Sequence, residues 1–508
     1  MTIPRQSALI ALALLALVAV VHGQAVTFGF VMDDWPQIGD SRLRGHIPLA
    51  DIFLKGVWGS SVDRLMSDNY RPLFSLWLEA IARLFGPSPA AYHAGAVLLH
   101  GANVLLLWRL AGRFASPIAA ALGAALFAVH PALVQSVAWV SGATDLLMGL
   151  FVLLAVLAHL RWRDSGRKGW LAAIAVAYLA AVLSKEVALV LPALLFTLDR
   201  QRGVAFKASL NLAVLAVVPV LWAVLRANAL PATGLESNMA FDLRGWTRLA
   251  DAVAFSLQAS VFPWPQFYHL TVEPAPLTSW LVVPALAVWA LVAWFARRAM
   301  VPLVWFVLFL APPMVLAFHS VHAWNFRFLY VPLMGAALLI ALCRPAIIAL
   351  AVLAGAVVSP LVAADWRDDG QFYAMVRRSD PASESGYAGM LMHYRRMGNV
   401  AGQEEVLAAA VKAVPNPRAH LAFMVDYGNF LTQRGRPRES AAIFQQVAAI
   451  PEGRRAGLLG LGVSLWAVGD LPAAMTAFDE AAELAPGDQR IADIRERLRR
   501  VMASKAIQ

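Results

Sequence analysis

An acidic pair, Asp33-Asp34 in FVMDDWPQI, stands immediately after the first apolar stretch of the chain. Adjacent carboxylates repel, which raises the pKa of one of them and suits it to take a proton near neutral pH. Cations recur in comparable places: Arg71 in YRP, Lys185 beside Glu186 in LSKEVALVLP, and Arg327 with Tyr330 in WNFRFLYVP. An arginine fork matches a pair of phosphate oxygens, so such residues suit an anionic ligand. His130-Pro131 and Asp145 bracket a polar turn, HPALVQSVAWVSGATD. Each group also has a plainer reading as a solvated loop, a snorkelling helix anchor or, for Lys185 and Glu186, a self-neutralising pair. Asp33 and Asp34 could hold a divalent cation, Mg or Mn, through their oxygens, although two carboxylates fall short of a full ligand set.

The elements that must position these groups are apolar. The 508 residues are 60% hydrophobic and 15% charged, with a mean hydropathy of +0.62, so most of the chain has lipid as its solvent. Residues 365–508 hold 18 Lys+Arg and 17 Asp+Glu, against 24 and 15 before them. The positive excess of the apolar part therefore reads as topology and contact with anionic lipid, and no basic stripe with interleaved aromatics points to nucleic acid. A single cysteine, Cys343, excludes a disulfide framework or a thiolate metal site within one chain.

Eleven apolar stretches are candidate spans, at about 8–23, 93–112, 116–137, 144–160, 169–184, 187–199, 207–226, 279–296, 301–318, 327–343 and 345–363. The first follows Arg5 without a convincing cleavage site and is expected to be a retained helix. Three basic clusters (Arg161, Arg163, Arg167 and Lys168; Arg200, Arg202 and Lys207; Arg297 and Arg298) fall on one side if the N-terminus is cytoplasmic. The run 249–264 is then re-entrant or interfacial, and the polar groups above all face the exported side. So does the loop 24–92, whose stretches LADIFLKGVW and RPLFSLWLEAIARLF are amphipathic. The richness in Ala, Leu and Arg suggests a bacterial inner membrane with a periplasmic active face.

The C-terminal part is periodic. Gly428 and Gly462 are 34 residues apart, as are Phe444 and Phe478, the spacing of tetratricopeptide repeats. Ala474, Ala481 and Pro486 complete the second repeat, Ser440, Val447 and Pro451 mark the first, and Tyr394, Gly398 and Pro415 mark a degenerate copy. The expected architecture is all-α: a polytopic transmembrane bundle over 1–364 followed by a tetratricopeptide-repeat α-solenoid over 365–508, whose concave face suits protein binding.

No Walker loop, GxGxxG, HExxH, GxSxG or Cys/His metal spacing is present. Taken in order, Asp33-Asp34, YRPL at 70–73, FAVHPALVQSVAWVSGATDLL at 127–147, LSKEVALVLP at 183–192 and RFLYVP at 327–332, followed by repeats, resemble the transmembrane and tetratricopeptide-repeat O-mannosyltransferase-like family. That resemblance implies a GT-C membrane glycosyltransferase. It would carry out inverting transfer from a polyprenyl-phosphate sugar to a protein or glycan acceptor on the exported face. It further implies that Asp33 or Asp34 deprotonates the acceptor hydroxyl, and that Arg71, Lys185 and Arg327 hold the departing lipid phosphate. His130, Asp145, Glu186 and Tyr330 would complete the substrate site. The chain departs from the family pattern at Gln135, where Glu is common, and at Ala143, where Arg is common.

Two readings from other classes compete. A non-catalytic scaffold would use the apolar core to anchor repeats for envelope assembly. A transporter or flippase would gather polar groups near the bilayer midplane, whereas these gather at one face.

Overall fold

The computed structural model of the chain describes residues 5–39, 45–57, 69–205, 210–230, 243–263, 280–295, 300–317, 325–341 and 345–506. Lys207, Arg297, Arg298 and Cys343 lie outside the described residues. All regular structure among those described is helical, and the chain divides into two compact units, Met1–Met375 and Val376–Gln508.

In the first unit the helices are α1 (Arg5–His22), α2 (Leu49–Leu54), α3 (Pro72–Phe85), α4 (Pro89–Ala111), α5 (Pro117–Val129), α6 (Val134–Ala138), α7 (Ala143–Ser165), α8 (Gly169–Ser184) and α9 (Leu191–Gln201). They continue as α10 (Val217–Ala229), α11 (Leu243–Val261), α12 (Val282–Phe295), α13 (Met300–Ala317), α14 (Tyr330–Ile340) and α15 (Pro345–Ala363). A last helix, α16 (Asp369–Ser379), runs across the division at Met375. The unit extends past the expected boundary at 364 because Trp366 stacks on Trp139 with ring centroids 5.8 Å apart, and Phe372 packs on Trp366 at 5.0 Å.

Four helical segments among the described residues are long and apolar enough to cross a bilayer: Arg5–Thr27, Pro89–Ala111, Val140–Ser165 and Ile348–Trp366. A fifth is broken, with Pro117–Val129 and Pro131–Ala138 meeting at 52°. Gly169–Ser184, Val217–Ala229, Val282–Leu291, Met300–Val315 and Phe326–Ile340 are apolar but shorter. The run around 249–261 is one continuous helix, α11, that buries Ala252, Phe255 and Ala259. In the loop after α1, α3 buries Phe74, Leu78, Ile81 and Ala82 and exposes Leu84 and Phe85, the amphipathic pattern read from its sequence.

The exterior of this unit is unlike that of a water-soluble protein. Leu9, Val20, Leu98, Val176 and Leu350 are exposed, whereas His22, His100, Asn103, Gln135, Asp145 and Asp199 are buried. An apolar exterior, over an apolar core that also shelters polar groups, is what lipid as solvent selects. At the opposite end of α7 from Asp145, Asp164 accepts from Arg113 and from Arg202, joining the ends of α4, α7 and α9.

Local sequence sets the ends of these helices. Pro72 opens α3 where a missing N–H costs nothing, and Gly86 closes it at φ 73°. Ser116 caps α5 by accepting from Ala119 N, with Pro117 next in line. The break after α5 follows from His130-Pro131: proline keeps His130 extended, and His130 Nδ1 accepts from Ala132 N to start the next turn.

The second unit contains α17 (Glu384–Arg396), α18 (Val400–Ala413), α19 (Pro417–Gln433), α20 (Pro437–Ala449), α21 (Arg454–Val468), α22 (Leu471–Leu484) and α23 (Gln489–Ala506). A Cβ on Gly428 would lie 2.7 Å from the Phe444 ring, and one on Gly462 would lie 2.7 Å from the Phe478 ring. The residues that recur every 34 positions thus make one recurring contact, a ring seated against a bare backbone. Ser440, fully buried, joins the two layers by donating to Gly428 O at 2.8 Å and meeting Ser464 Oγ at 2.9 Å.

Candidate functional site

The polar segment 130–145 lies buried at the centre of the first unit, and three of the expected site residues are held by it. The chain turns back at Trp139 and again at Gly142, where a Cβ would come within 2.9 Å of Gln135 O and Ser136 Cα. Only glycine permits that approach. The turn presents Ser141 to Asp34, Trp139 to Arg327 and Asp145 to Lys185.

The two aspartates of the pair are not equivalent. Asp34 is fully buried; its Oδ1 accepts from Ser141 N at 2.9 Å and Ser141 Oγ at 2.8 Å, and its Oδ2 accepts from Val31 N at 3.1 Å. Burial pushes its carboxyl up to about 7, against the pull of the Ser141 and Val31 donors, and the neighbouring Asp33 adds to the rise. Asp33 is only partly buried, so it is the more accessible member of the pair. Both oxygens of Asp34 face N–H and O–H donors, and among the described residues no cluster of three acidic, imidazole or thiol groups forms. Among the described residues the pair therefore lacks the ligand set that a divalent cation needs.

The raised Asp34 carboxyl has a measurable consequence. A folded-state pKa of about 7 against the ordinary aspartate value of 3.8 means the folded chain binds the extra proton. Its contribution to stability is complete at low pH and is lost as pH rises from about 4 to about 7. The melting midpoint in detergent should fall over this interval, and Asp34→Asn, which cannot titrate, should show a shallower fall. An unchanged slope in the variant would mean that Asp34 does not carry the effect.

The cations form one cluster with two carboxylates. Arg71, the residue preceding α3, donates from Nε to Glu186 Oε2 at 3.1 Å and from Nη2 to Glu186 Oε1 at 2.7 Å. Lys185, at the end of α8, donates from Nζ to Asp145 Oδ1 at 2.6 Å, and both side chains are buried. Lys185 feels the fields of both Arg327 and Arg71, which places the three cations in one neighbourhood. Lys185 Nζ lies 4.9 Å from the Phe328 ring centre, and Arg327 Cζ lies 5.5 Å from the same ring and 4.7 Å from that of Trp139. Among the described residues Arg327 has no carboxylate partner, and its Nε is buried without an acceptor. Among the described residues three positive charges stand against two negative ones, one cation in excess.

Two expected ligands are engaged by other groups. Tyr330 is fully buried, near enough to Asp145 to feel its charge, but its hydroxyl is taken up by neighbours other than the cations. Its hydroxyl accepts from Asn103 Nδ2 at 3.0 Å and lies 2.9 Å from His100 Nδ1. His100 Nε2 donates to Ala128 O, since a carbonyl can only accept, so Nδ1 is the acceptor for the tyrosine proton. His130 places Nε2 3.2 Å from Ser260 O and lines an apolar cavity of about 420 Å³ with Phe127, Leu333, Ala337 and Gly355. Asp145 and Glu186 do sit in the cluster, as the ion-pair partners of Lys185 and Arg71.

Two residues that the sequence did not offer as site residues, Ser141 and Gln135, support the site. Ser141 fixes Asp34, and Gln135 fixes the arginine segment: its Oε1 accepts from Arg327 N at 3.0 Å and its Nε2 donates to Asn325 Oδ1 at 2.8 Å. The amide thus does at this position what a carboxylate, lacking a donor, could not do in full. A departure from the family pattern was the one sequence signal for Gln135.

The family model described as dolichyl-phosphate-mannose-protein mannosyltransferase matches residues 70–225. The chain is 33% identical over 177 residues to protein O-mannosyl-transferase Tmtc1 of Drosophila melanogaster, a match covering 34% of this chain and 21% of that protein. It is 35% identical over 158 residues to human protein O-mannosyl-transferase TMTC4, covering 28% and 21%. The chain is a relative of the protein O-mannosyl-transferases. Its apolar helices make it a multi-pass membrane protein, similar over residues 70–225 to a family of membrane mannosyltransferases. The match spans about a fifth of the length of these mannosyltransferases. The family region holds Arg71, His130, Asp145, Lys185 and Glu186, while Asp33, Asp34, Arg327 and Tyr330 lie outside it. No solved structure matches the chain.

Proposed function

We propose that the chain is a GT-C-type glycosyltransferase that moves a sugar, mannose by the names of its relatives, from a polyprenyl-phosphate donor to a protein hydroxyl on the exported face of a bacterial inner membrane. The observation that supports it most is the cation excess at Arg71, Lys185 and Arg327, joined to the acidic pair through residues 139–145. Ser141 holds Asp34 and Asp145, four residues further along the chain, holds Lys185.

In this reading the acceptor oxygen attacks the anomeric carbon from the face opposite the phosphate, so the configuration inverts. Asp33 takes the hydroxyl proton as the new bond forms. The bond from the anomeric carbon to the phosphate oxygen breaks, and its electron pair leaves on the lipid phosphate. Fixed cations lower the barrier most where charge appears during the reaction, which is the part Arg71, Lys185 and Arg327 play. Arg327 contributes most directly, because no carboxylate competes for its guanidinium among the described residues. Asp34 keeps the segment in place. About eleven spans, with the N-terminus cytoplasmic, and a periplasmic tetratricopeptide-repeat domain that docks the acceptor complete the proposed arrangement.

Native membranes carrying the full chain should transfer radiolabelled mannose from polyprenyl-phosphate mannose into protein above the level of membranes lacking it. Equal incorporation in the two would remove the proposal. In the same assay Arg327→Gln should raise the KM for the donor about tenfold to a hundredfold, the usual worth of a charge-assisted hydrogen bond. An unchanged KM would take Arg327 out of the phosphate site.

A further inference from the structure

Among the described residues Met32 is the one non-glycine residue with positive φ, at 50°. An L side chain is disfavoured there, and such conformations persist only where the surroundings impose them. Met32 immediately precedes Asp33. Its N–H donates to Asp369 Oδ1 at 3.0 Å. Asp369 is buried at the start of α16, and nothing in the transfer chemistry above uses it.

The segment around Met32 is pinned from two directions. On one side Gly29 N donates to Arg367 O at 2.8 Å, two residues before Asp369. Trp366 stacks upon Trp139 and Phe372 packs on Trp366, so this short stretch is anchored to the same buried turn that bears Ser141. On the other side Asp34 is bound by Ser141. Between these anchors Val31 O accepts from Asp34 N at 3.1 Å and Met32 O accepts from Trp35 N at 3.2 Å. With both flanks fixed, the dihedral at Met32 sets the direction of the Asp33 side chain. Relaxation to an ordinary negative φ would swing Asp33 away from its present place.

We propose that Asp369 is a positioning residue for the transfer reaction, its carboxylate holding Met32 in the left-handed conformation that aims Asp33 at the acceptor hydroxyl. The inference rests on the reading of Asp33 as the base. It accounts for an acid far along the sequence being buried against the backbone of the acidic turn.

The test uses the full chain in native membranes, with radiolabelled polyprenyl-phosphate mannose as donor and saturation kinetics as readout. Asp369→Ala should lower kcat about tenfold with the donor KM unchanged, the scale of one backbone conformation lost. Asp369→Asn keeps an oxygen acceptor for Met32 N–H and should stay within about threefold of the parent. Met32→Gly placed in the Asp369→Ala chain should restore part of kcat, because glycine has no preference against positive φ. Met32→Val, β-branched, should lower kcat even with Asp369 present. Asp33→Asn is measured beside them. An inactive Asp33→Asn with an unimpaired Asp369→Ala overturns the inference and leaves the base assignment standing. A fully active Asp33→Asn overturns the base assignment itself. Equal loss in Asp369→Ala and Asp369→Asn, with KM rising in both and no rescue by Met32→Gly, makes Asp369 a structural residue only and also overturns the inference.

Discussion

Asp33→Asn is expected to abolish most sugar transfer while leaving donor binding intact. The amide is nearly isosteric with the carboxylate, so the acidic turn should keep its shape, but it cannot accept the acceptor proton at neutral pH. General bases contribute about a hundredfold to ten-thousandfold, so kcat should fall by at least about a hundredfold, with the KM for polyprenyl-phosphate mannose within a few-fold of the parent. Asp34→Asn should be the milder change. Its side chain is fully buried and already surrounded by three donors. An amide there keeps one acceptor oxygen but turns its NH₂ toward a donor, which disturbs local packing more than chemistry. The contrast is diagnostic. If Asp34→Asn were the inactive variant and Asp33→Asn retained full rate at equal protein level, the proton would have to leave through the buried carboxylate. The accessibility argument would then be wrong.

The ionic members of this site were visible in the sequence because a charge surrounded by apolar residues is conspicuous wherever it occurs. Asp33, Arg71, Lys185 and Arg327 all stood out for that reason. What the linear pattern does not encode is the partner. Asp34 meets Ser141 across 107 residues, and Gln135 meets Arg327 across 192. Neither is separated by a helical or strand period that would betray it. Direction is hidden too. Tyr330 sits three residues after Arg327, about a turn of helix on, yet faces His100 and Asn103 because the bundle interior offers it donor and acceptor at once. His130 reads as a polar ligand, but its ring serves Ala132 N and lies at Ser260 O. In the second unit the reverse holds: the pairs Gly428 with Phe444 and Gly462 with Phe478 were legible as a 34-residue period because one local contact is repeated. Short-range, repeated geometry leaves a trace in the sequence, whereas a single long-range pairing does not.

The buried pair of Lys185 and Asp145 should separate folding from chemistry. Their side chains are 3% and 2% exposed, and they meet at 2.6 Å. Asp145→Ala would leave an ammonium group buried opposite no counter-charge, with Arg71 and Arg327 repelling it. Removing one partner of such a pair costs about 3–5 kcal/mol, so the variant should be scarce in membranes and melt well below the parent. Lys185→Met should also destabilise, by stranding Asp145, whose Oδ2 already lacks a partner. The double variant Asp145→Leu with Lys185→Met behaves differently on physical grounds. Two apolar side chains of similar volume incur no desolvation penalty, and such replacements are often neutral or stabilising by about 1–4 kcal/mol. Protein level and melting midpoint should therefore return to the parent's or exceed it. Transfer activity should not return, because the ammonium that meets the departing phosphate is gone while folding is intact. If the double variant were both stable and fully active, Lys185 would be a structural cation and the phosphate would be held by the arginines alone. If it stayed as unstable as the single variants, the pair would contribute shape that Leu and Met cannot supply, and the electrostatic account of its burial would fail. The recovery of stability without recovery of transfer is the outcome that joins the ion pair to the leaving phosphate.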